Sequence, residues 1–241
     1  MIKRIVSVVS IAALLVLSIC VPAKAGVYSV NGNDGQQIAQ SRDDFDEAEL
    51  QKFEEENKRL YELGQSVLSQ RTGSGQIMAL PNFPFYKQND SQWSDVVMKS
   101  ANLTIGRSGC CLTSFAMVQK YYGGSDNPEQ VNATMGDAAC PFQYYRAAEL
   151  YGYTISTLVM NTTSYSDTVN YVVGALTEGH PVMIGMNTAD GSRPHFVVAY
   201  GHAYDKIFIK DPIGSADSGI VYLSSYTDNG YHVDNIVVYN N

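Results

Sequence analysis

The spacing of apolar residues in this chain changes at Gly179, and that change constrains the fold more than any other feature. Before Gly179 the apolar residues recur at helical intervals, which predicts helices beginning near Cys110 and Asn127 and over 141–151 and 166–178. After it come five short segments rich in β-branched and aromatic residues, separated by Gly, Asp and Asn turns: 181–186, 195–203, 206–210, 219–223 and 235–239. Helices followed by neighbouring strands predict an α+β fold in which helices pack on a largely antiparallel sheet.

The N-terminus has the pattern of an export signal. Lys3 and Arg4 precede an apolar stretch over 5–20, and Ala23 and Ala25 are small residues at the positions that a signal peptidase reads. We therefore expect a signal peptide over 1–25 and a secreted or extracellular protein, with attachment to the cell surface left open. No later segment is apolar over the length that a bilayer requires, so no integral membrane association is expected.

Charge and cysteine content exclude several classes of function. The net charge is -8, and removal of the three positive charges of the leader leaves -11, which argues against a nucleic-acid partner. Three of the four cysteines lie outside the leader, so at least one thiol has no partner within the chain. The cysteines and histidines do not fall at zinc-binding spacings, and neither a metal nor a cofactor is expected.

The segment over 26–78 separates the leader from the domain predicted over 79–241. Residues 26–40 are rich in Gly, Asn, Ser and Gln and indicate a flexible lead-in. Residues 41–71 predict a charged helix with one narrow apolar stripe, followed by a Gly/Ser hinge over 72–75. Two interpretations stay open: a solvated helix laid against the domain, or a pro-segment that covers a substrate groove.

Three residues far apart in sequence have the chemistry of a cysteine hydrolase. Cys110 stands where a glycine turn leads into an apolar helix, and the positive end of a helix dipole favours the thiolate. His195 opens one predicted strand and Asp211 follows another. A thiol nucleophile needs a base, and the base needs a third group that orients it, so these three residues are candidates for that arrangement.

An ordered set of motifs over about 80–239 resembles the secreted branch of the cysteine peptidases related to bacteriocin-leader processing enzymes, in the papain-like clan. The motifs are Phe85-Tyr86-Lys87-Gln88-Asn89-Asp90, Trp93, Ser108-Gly109-Cys110 with Thr113-Ser114, Gly179-His180-Pro181-Val182, His195-Phe196-Val197-Val198 and Lys210-Asp211-Pro212. The resemblance implies a papain-like fold and hydrolysis of peptide bonds in a peptide or protein substrate. It makes Cys110 the nucleophile, His195 the base, Asp211 its orienting group and Gln88 the oxyanion donor.

Alternatives remain for both the residues and the function. Cys111 is an alternative nucleophile, and His202 is an alternative base that strand alternation places on the face opposite His195. In the implied fold, Cys111 and Cys140 come close enough for a disulfide that would leave Cys110 as the thiol. The alternative functions are a non-catalytic module that binds peptide or cell wall, and an amidase or acyltransferase acting on wall peptides. Nothing in the sequence indicates an oligomeric state.

Overall fold

The computed structural model describes residues 51, 53–70, 77–160, 164–214 and 219–241. The predicted signal peptide, the lead-in over 26–40 and the hinge over 72–75 lie outside these residues. The helices are α1 (Glu54–Ser69), α2 (Ile105–Ser108), α3 (Cys110–Tyr121), α4 (Pro128–Met135), α5 (Tyr144–Tyr151), α6 (Tyr165–Thr177) and α7 (Ser224–Thr227). The strands are β1 (Ile77–Ala79), β2 (Val97–Met98), β3 (Leu103–Thr104), β4 (Thr154–Val159), β5 (Val182–Thr188), β6 (His195–Ala203), β7 (Lys206–Lys210), β8 (Val221–Tyr222) and β9 (Tyr231–Asn240).

A seven-stranded sheet is the centre of the fold. Its strands run in the order β4-β9-β5-β6-β7-β8, with β1 paired to β6, and every pairing is antiparallel. β6 pairs with β5 from His195 onward and with β7 up to Lys210. The predicted α+β class with an antiparallel sheet is therefore the architecture that the structure has.

Helices cover both faces of this sheet because its central strands are apolar on both faces. Val182 and Ile184 of β5 pack with α6, whereas the intervening Met183 packs with α3. The same alternation occurs on β9, where Val237 faces the α3 side and Val238 the α6 side. A strand that is buried on both faces has a continuous apolar sequence, so these strands could be predicted from the sequence.

Part of the charged helix predicted over 41–71 is confirmed as α1 (Glu54–Ser69), which packs against α6, whereas residues 41–50 lie outside the described residues. The backbones of the two helices approach closely, because a Cβ at Gly64 would lie 1.9 Å from the Asn170 carbonyl oxygen and a Cβ at Gly174 would lie 2.0 Å from the Leu60 carbonyl oxygen. Leu60 is fully buried, and the Arg59 guanidinium donates to both carboxylate oxygens of Glu178, at 2.6 and 2.7 Å. We refer to this contact as the α1–α6 seam.

Some elements differ from the sequence prediction. The strand β4 and the short hairpin of β2 and β3 were missed, and the helix predicted over 141–151 begins only at Tyr144. The last strand is longer than predicted, since it begins at Tyr231. None of the helices in the described part of the chain is long and apolar enough to cross a bilayer.

Candidate active site

A cleft of about 290 Å³ opens between the start of α3 and the adjoining ends of the sheet strands. The residues that line it are Gln88, Arg107, Ser108, Cys110, Arg193, Pro194, His195, Ile213, Tyr226 and Tyr231. Three of the four residues named from the sequence as a catalytic set are among them. The fourth, Asp211, is buried directly behind His195.

Cys110 reaches the cleft because a glycine separates two helices. The short helix α2 ends at Ser108, and α3 begins at Cys110, so that Gly109 alone connects them. A Cβ at Gly109 would lie 2.6 Å from the Ile105 carbonyl oxygen, so a larger residue would force the turn open. The thiol of Cys110 is thereby held at the first residue of a twelve-residue helix, where the helix dipole favours a negative charge.

The register of the sheet brings His195 and Asp211 together. Val198 of β6 pairs with Lys210 of β7, so the residue that follows β7 lies beside the first residues of β6. The imidazole Nε2 of His195 is 2.7 Å from Oδ1 of Asp211, and both side chains are buried. With Nε2 committed to the carboxylate, Nδ1 is the nitrogen left for Cys110.

The electrostatics of this group favour a protonated imidazole. Burial opposes the charge on His195, but hydrogen bonds to Asp211 and Cys110, together with the charges of both, outweigh it and raise the pKa of His195 to about 9. Burial also opposes ionisation of Asp211, yet the hydrogen bond and charge of His195 lower the pKa of this carboxyl below its ordinary value. At neutral pH the imidazolium is therefore flanked by the Asp211 carboxylate and by the sulfur of Cys110.

Asp211 has further donors that fix its orientation. Its Oδ1 also accepts from the backbone N–H of Ile213 at 3.0 Å, and its Oδ2 accepts from the hydroxyl of Tyr226. The ring of Tyr226 lies 5.5 Å from the imidazole of His195. Burial and the hydrogen bond to Asp211 raise the pKa of Tyr226, which keeps its hydroxyl protonated as a donor.

Gln88 is tied to both walls of the cleft. Its side-chain Nε2 donates to the Gly106 carbonyl in α2 at 3.0 Å, and its backbone N–H donates to the Pro212 carbonyl at 2.9 Å. The side chain is buried, and its Oε1 has no hydrogen-bond partner among the described residues. The 21 positions between Gln88 and Cys110 are taken up by loops, the β2–β3 hairpin and α2, and both side chains line the same cleft.

The alternative residues lie elsewhere. Cys111 is not among the residues that line the cleft; it is buried in the core, and burial, with the charges of Cys110 and Cys140, raises the pKa of its thiol well above the ordinary value. His202 lies at the far end of β6, and its Nδ1 contacts the Tyr204 carbonyl at 3.1 Å. A β-bulge between Ala199 and Gly201 interrupts strict alternation along β6. Alternation alone therefore does not place His195 and His202 on opposite faces of the sheet.

The disulfide that the sequence left open is not formed in this structure, where Cys111 and Cys140 are both buried thiols. Their surroundings supply the physical reason, since both pack as small apolar side chains in the core beside α3. A buried thiol with a raised pKa has little of the thiolate that disulfide formation requires. Cys110 is thus distinguished from the other two cysteines by its place at the cleft.

Sequence reasoning missed three further residues at this site. Tyr226 belongs to a four-residue helix with no motif, and the chain has 17 tyrosines. Arg107 and Arg193 stand within three positions of Cys110 and His195, respectively, and both line the cleft. Their closeness in sequence to the two motifs was the one available signal.

Comparison with known proteins gave two matches. No curated protein sequence matches this chain significantly. A crystal structure described as that of a C39-like peptidase from Bacillus anthracis is similar at 15% sequence identity, with 69% of this chain and 98% of that chain covered and a TM-score of 0.45. The model of the peptidase C39-like family matches residues 80–233, a span that contains Gln88, Cys110, His195 and Asp211. Because this match covers more than half of its length, the chain belongs to the peptidase C39-like family.

Proposed function

We propose that this protein is a cysteine peptidase with a papain-like fold, in which Cys110 is the nucleophile and His195 and Asp211 complete a catalytic triad. The observation that carries the proposal is the position of His195 at the wall of an open cleft, where its Nε2 lies 2.7 Å from Oδ1 of Asp211 and its imidazole interacts with Cys110. Family membership and a helix-borne cysteine packed on an antiparallel sheet also support it.

In the first half of the reaction the Cys110 thiolate attacks the carbonyl carbon of a peptide bond, and the electron pair of the C=O bond moves to oxygen. The second N–H of Gln88 Nε2, beside the one donated to Gly106, is the donor available to this oxyanion. His195 gives its proton to the nitrogen of the leaving amine as the C–N bond breaks. A thioester to Cys110 remains.

In the second half a water molecule enters from the open cleft. His195, now neutral at Nδ1, takes a proton from this water as the oxygen attacks the thioester carbonyl. The C–S bond breaks, the carboxylic acid leaves, and the ion pair of thiolate and imidazolium is restored. Asp211, held by Tyr226 and Ile213, keeps the imidazole in the orientation that both halves require.

The N-terminal pattern and the acidity of the chain extend this proposal to location and partners. A signal peptide over 1–25 would export the protein, so its substrates would be peptides or proteins outside the cell. The acidic net charge supports a peptide rather than a nucleic acid as the partner.

Incubation of the protein with a mixed peptide library, followed by mass spectrometry of the products, tests the activity. We expect new peptide termini with the wild type and none with Cys110→Ala, whereas Cys111→Ala should keep most of the activity. The two variants are matched controls because each removes one buried thiol from the same helix. Binding of peptides without turnover by the wild type would favour the non-catalytic module, and cleavage of wall peptides alone would favour the amidase.

A further inference from the structure

Among the described residues that line the cleft, the charged side chains are cationic. Arg107, Arg193 and the imidazolium of His195 face it, whereas no carboxylate is among its described lining residues. This is unusual for a chain with 24 acidic residues against 16 lysines and arginines. Positive side chains gathered at one opening of an acidic protein provide a local attraction for anions.

The two arginines come from the two segments that lead into Cys110 and His195. Arg107 belongs to α2, three positions before Cys110, and Arg193 lies in the turn between β5 and β6, two positions before His195. Both are exposed, so their guanidinium groups lie at the opening rather than in the core. A peptide whose scissile carbonyl reaches Cys110 would therefore lie in the same cleft as both arginines.

The turn that carries Arg193 is held in place by hydrogen bonds. The backbone N–H of Arg193 donates at 3.2 Å to Oδ1 of Asn187, whose side chain is buried. The acid nearest in sequence, Asp190, accepts from the hydroxyls of Thr188 and Ser192 at 2.6 and 2.8 Å. The Asp190 carboxylate thus stabilises the turn in which it lies, and it is not among the described residues that line the cleft.

From this placement we infer that the cleft selects acidic peptides, with a substrate carboxylate close to the scissile bond bound by Arg107 and Arg193. Guanidinium groups bind carboxylates through paired, charge-assisted hydrogen bonds, which suits this role. The inference rests on the proposed peptidase function and adds the chemical class of the substrate. The carboxylate is supplied either by a Glu or Asp side chain or by the C-terminus of a peptide.

The experiment uses two thiol-reactive peptide vinyl sulfones that are identical except for Glu or Gln beside the electrophile. The rate of Cys110 labelling is measured for the wild type, Arg107→Gln, Arg193→Gln and the double variant, with Arg146→Gln as the matched control. Arg146 is exposed and paired with Glu149, and it is not a cleft residue. Peptide acids and the corresponding amides, used as competitors, distinguish a terminal carboxylate from a side-chain carboxylate.

We expect the wild type and Arg146→Gln to react about three- to tenfold faster with the Glu probe than with the Gln probe, or to be protected better by the peptide acid than by the amide. The factor is modest because an exposed ion pair contributes little binding free energy. The ratio should approach one in the double variant and should shrink as NaCl rises from about 0.05 M to about 0.5 M. Equal rates with both probes and equal protection by acid and amide, or a preference that survives in the double variant, would overturn the inference. Absence of Cys110 labelling by either probe would instead overturn the peptidase function itself.

Discussion

The cleft and the α1–α6 seam show two different uses of close packing. At the cleft, Cys110, Asp211 and Tyr226 converge on His195 from three separate segments, and the charged pair of His195 and Asp211 is buried. At the seam, two glycines let helix backbones touch, and the charged Arg59–Glu178 pair stays at the surface. Burial of charged groups costs free energy unless each is paired, whereas close apolar packing lowers the free energy of the folded state.

The residues that perform chemistry and the residues that stabilise the fold lie in different parts of the molecule. The cleft provides a protonated base, an oriented carboxylate and a nucleophilic sulfur at the cost of buried polar groups. One of these groups is the Oε1 of Gln88, which has no hydrogen-bond partner among the described residues. The seam contributes no residue to the cleft lining. Substitutions in the cleft should therefore change rates in a folded protein, and substitutions in the seam should change folding.

The largest effect is expected at His195. Replacement by Ala removes the proton donor and acceptor, and turnover of a cleaved peptide should fall about a thousandfold or more. His202→Ala is the control from the same strand, and its turnover per folded molecule should stay within a few-fold of the wild type. Full activity of the His195→Ala variant would show that His195 is not part of a catalytic triad.

Removal of residues 26–75 tests the seam as a whole. A chain beginning at Gln76 loses the burial of Phe53 and Leu60, each worth about 1.5–3 kcal/mol, so its free energy of unfolding should fall by several kcal/mol. Denaturant unfolding measures this loss, in comparison with a chain beginning at Gly26. A shorter chain that was equally stable and more active would make the segment an inhibitory pro-segment, the interpretation that the sequence left open.

A single methyl group tests the seam more finely. Gly174→Ala should destabilise the protein by about 2 kcal/mol, because the contact at 2.0 Å with a backbone oxygen requires the helices to separate. Helix propensity alone would stabilise the Ala variant by about 1 kcal/mol. A decrease in the free energy of unfolding would therefore show that the backbone contact outweighs propensity. Gln65→Ala, at an exposed position of α1, is the control and should be close to neutral. Labelling of Cys110 in the folded Gly174 variant should not change.

The pH dependence tests the electrostatics of the cleft. The imidazolium form of His195 is the proton donor to the leaving amine, so activity should fall as the pH rises through about 9. Asp211 raises this pKa, and Asp211→Asn should lower it by about 1–2 units, which moves the alkaline limb toward neutral pH. Rates measured from pH 6 to pH 10 give the position of the limb. An unchanged limb in the Asn variant would show that the His195–Asp211 pair does not set it.

The sequence predicted the central strands and the cleft residues because both have local signals. β5, β6 and β7 are continuous apolar runs bounded by turns, and Cys110, His195 and Asp211 lie in motifs at the ends of elements. β4 was missed because three of its six residues are polar, and because it depends on pairing with β9 about 80 positions away.

The remaining features depend on contacts between distant segments. The hydroxyl of Tyr226 has a role only because α7 packs beside Asp211, and Gly174 is constrained only because α1 crosses it. No local pattern distinguishes either residue from other tyrosines or glycines in the chain. The sequence also could not decide whether the helix over 41–71 covers a groove, since periodicity fixes the buried face of a helix and not its partner.

The measurement that tests the account most directly is the identity of the cysteine that reacts. The folded protein is treated at neutral pH with a thiol-directed peptide probe, digested without reduction, and mapped by mass spectrometry. We predict that Cys110 alone is labelled in the wild type and that Cys110 and Cys140 are not linked by a disulfide in the active protein. Labelling should be lost in His195→Ala and Cys110→Ala and retained in Cys111→Ala. Labelling of Cys111, or a Cys110–Cys140 linked peptide in a fully active sample, would contradict this prediction.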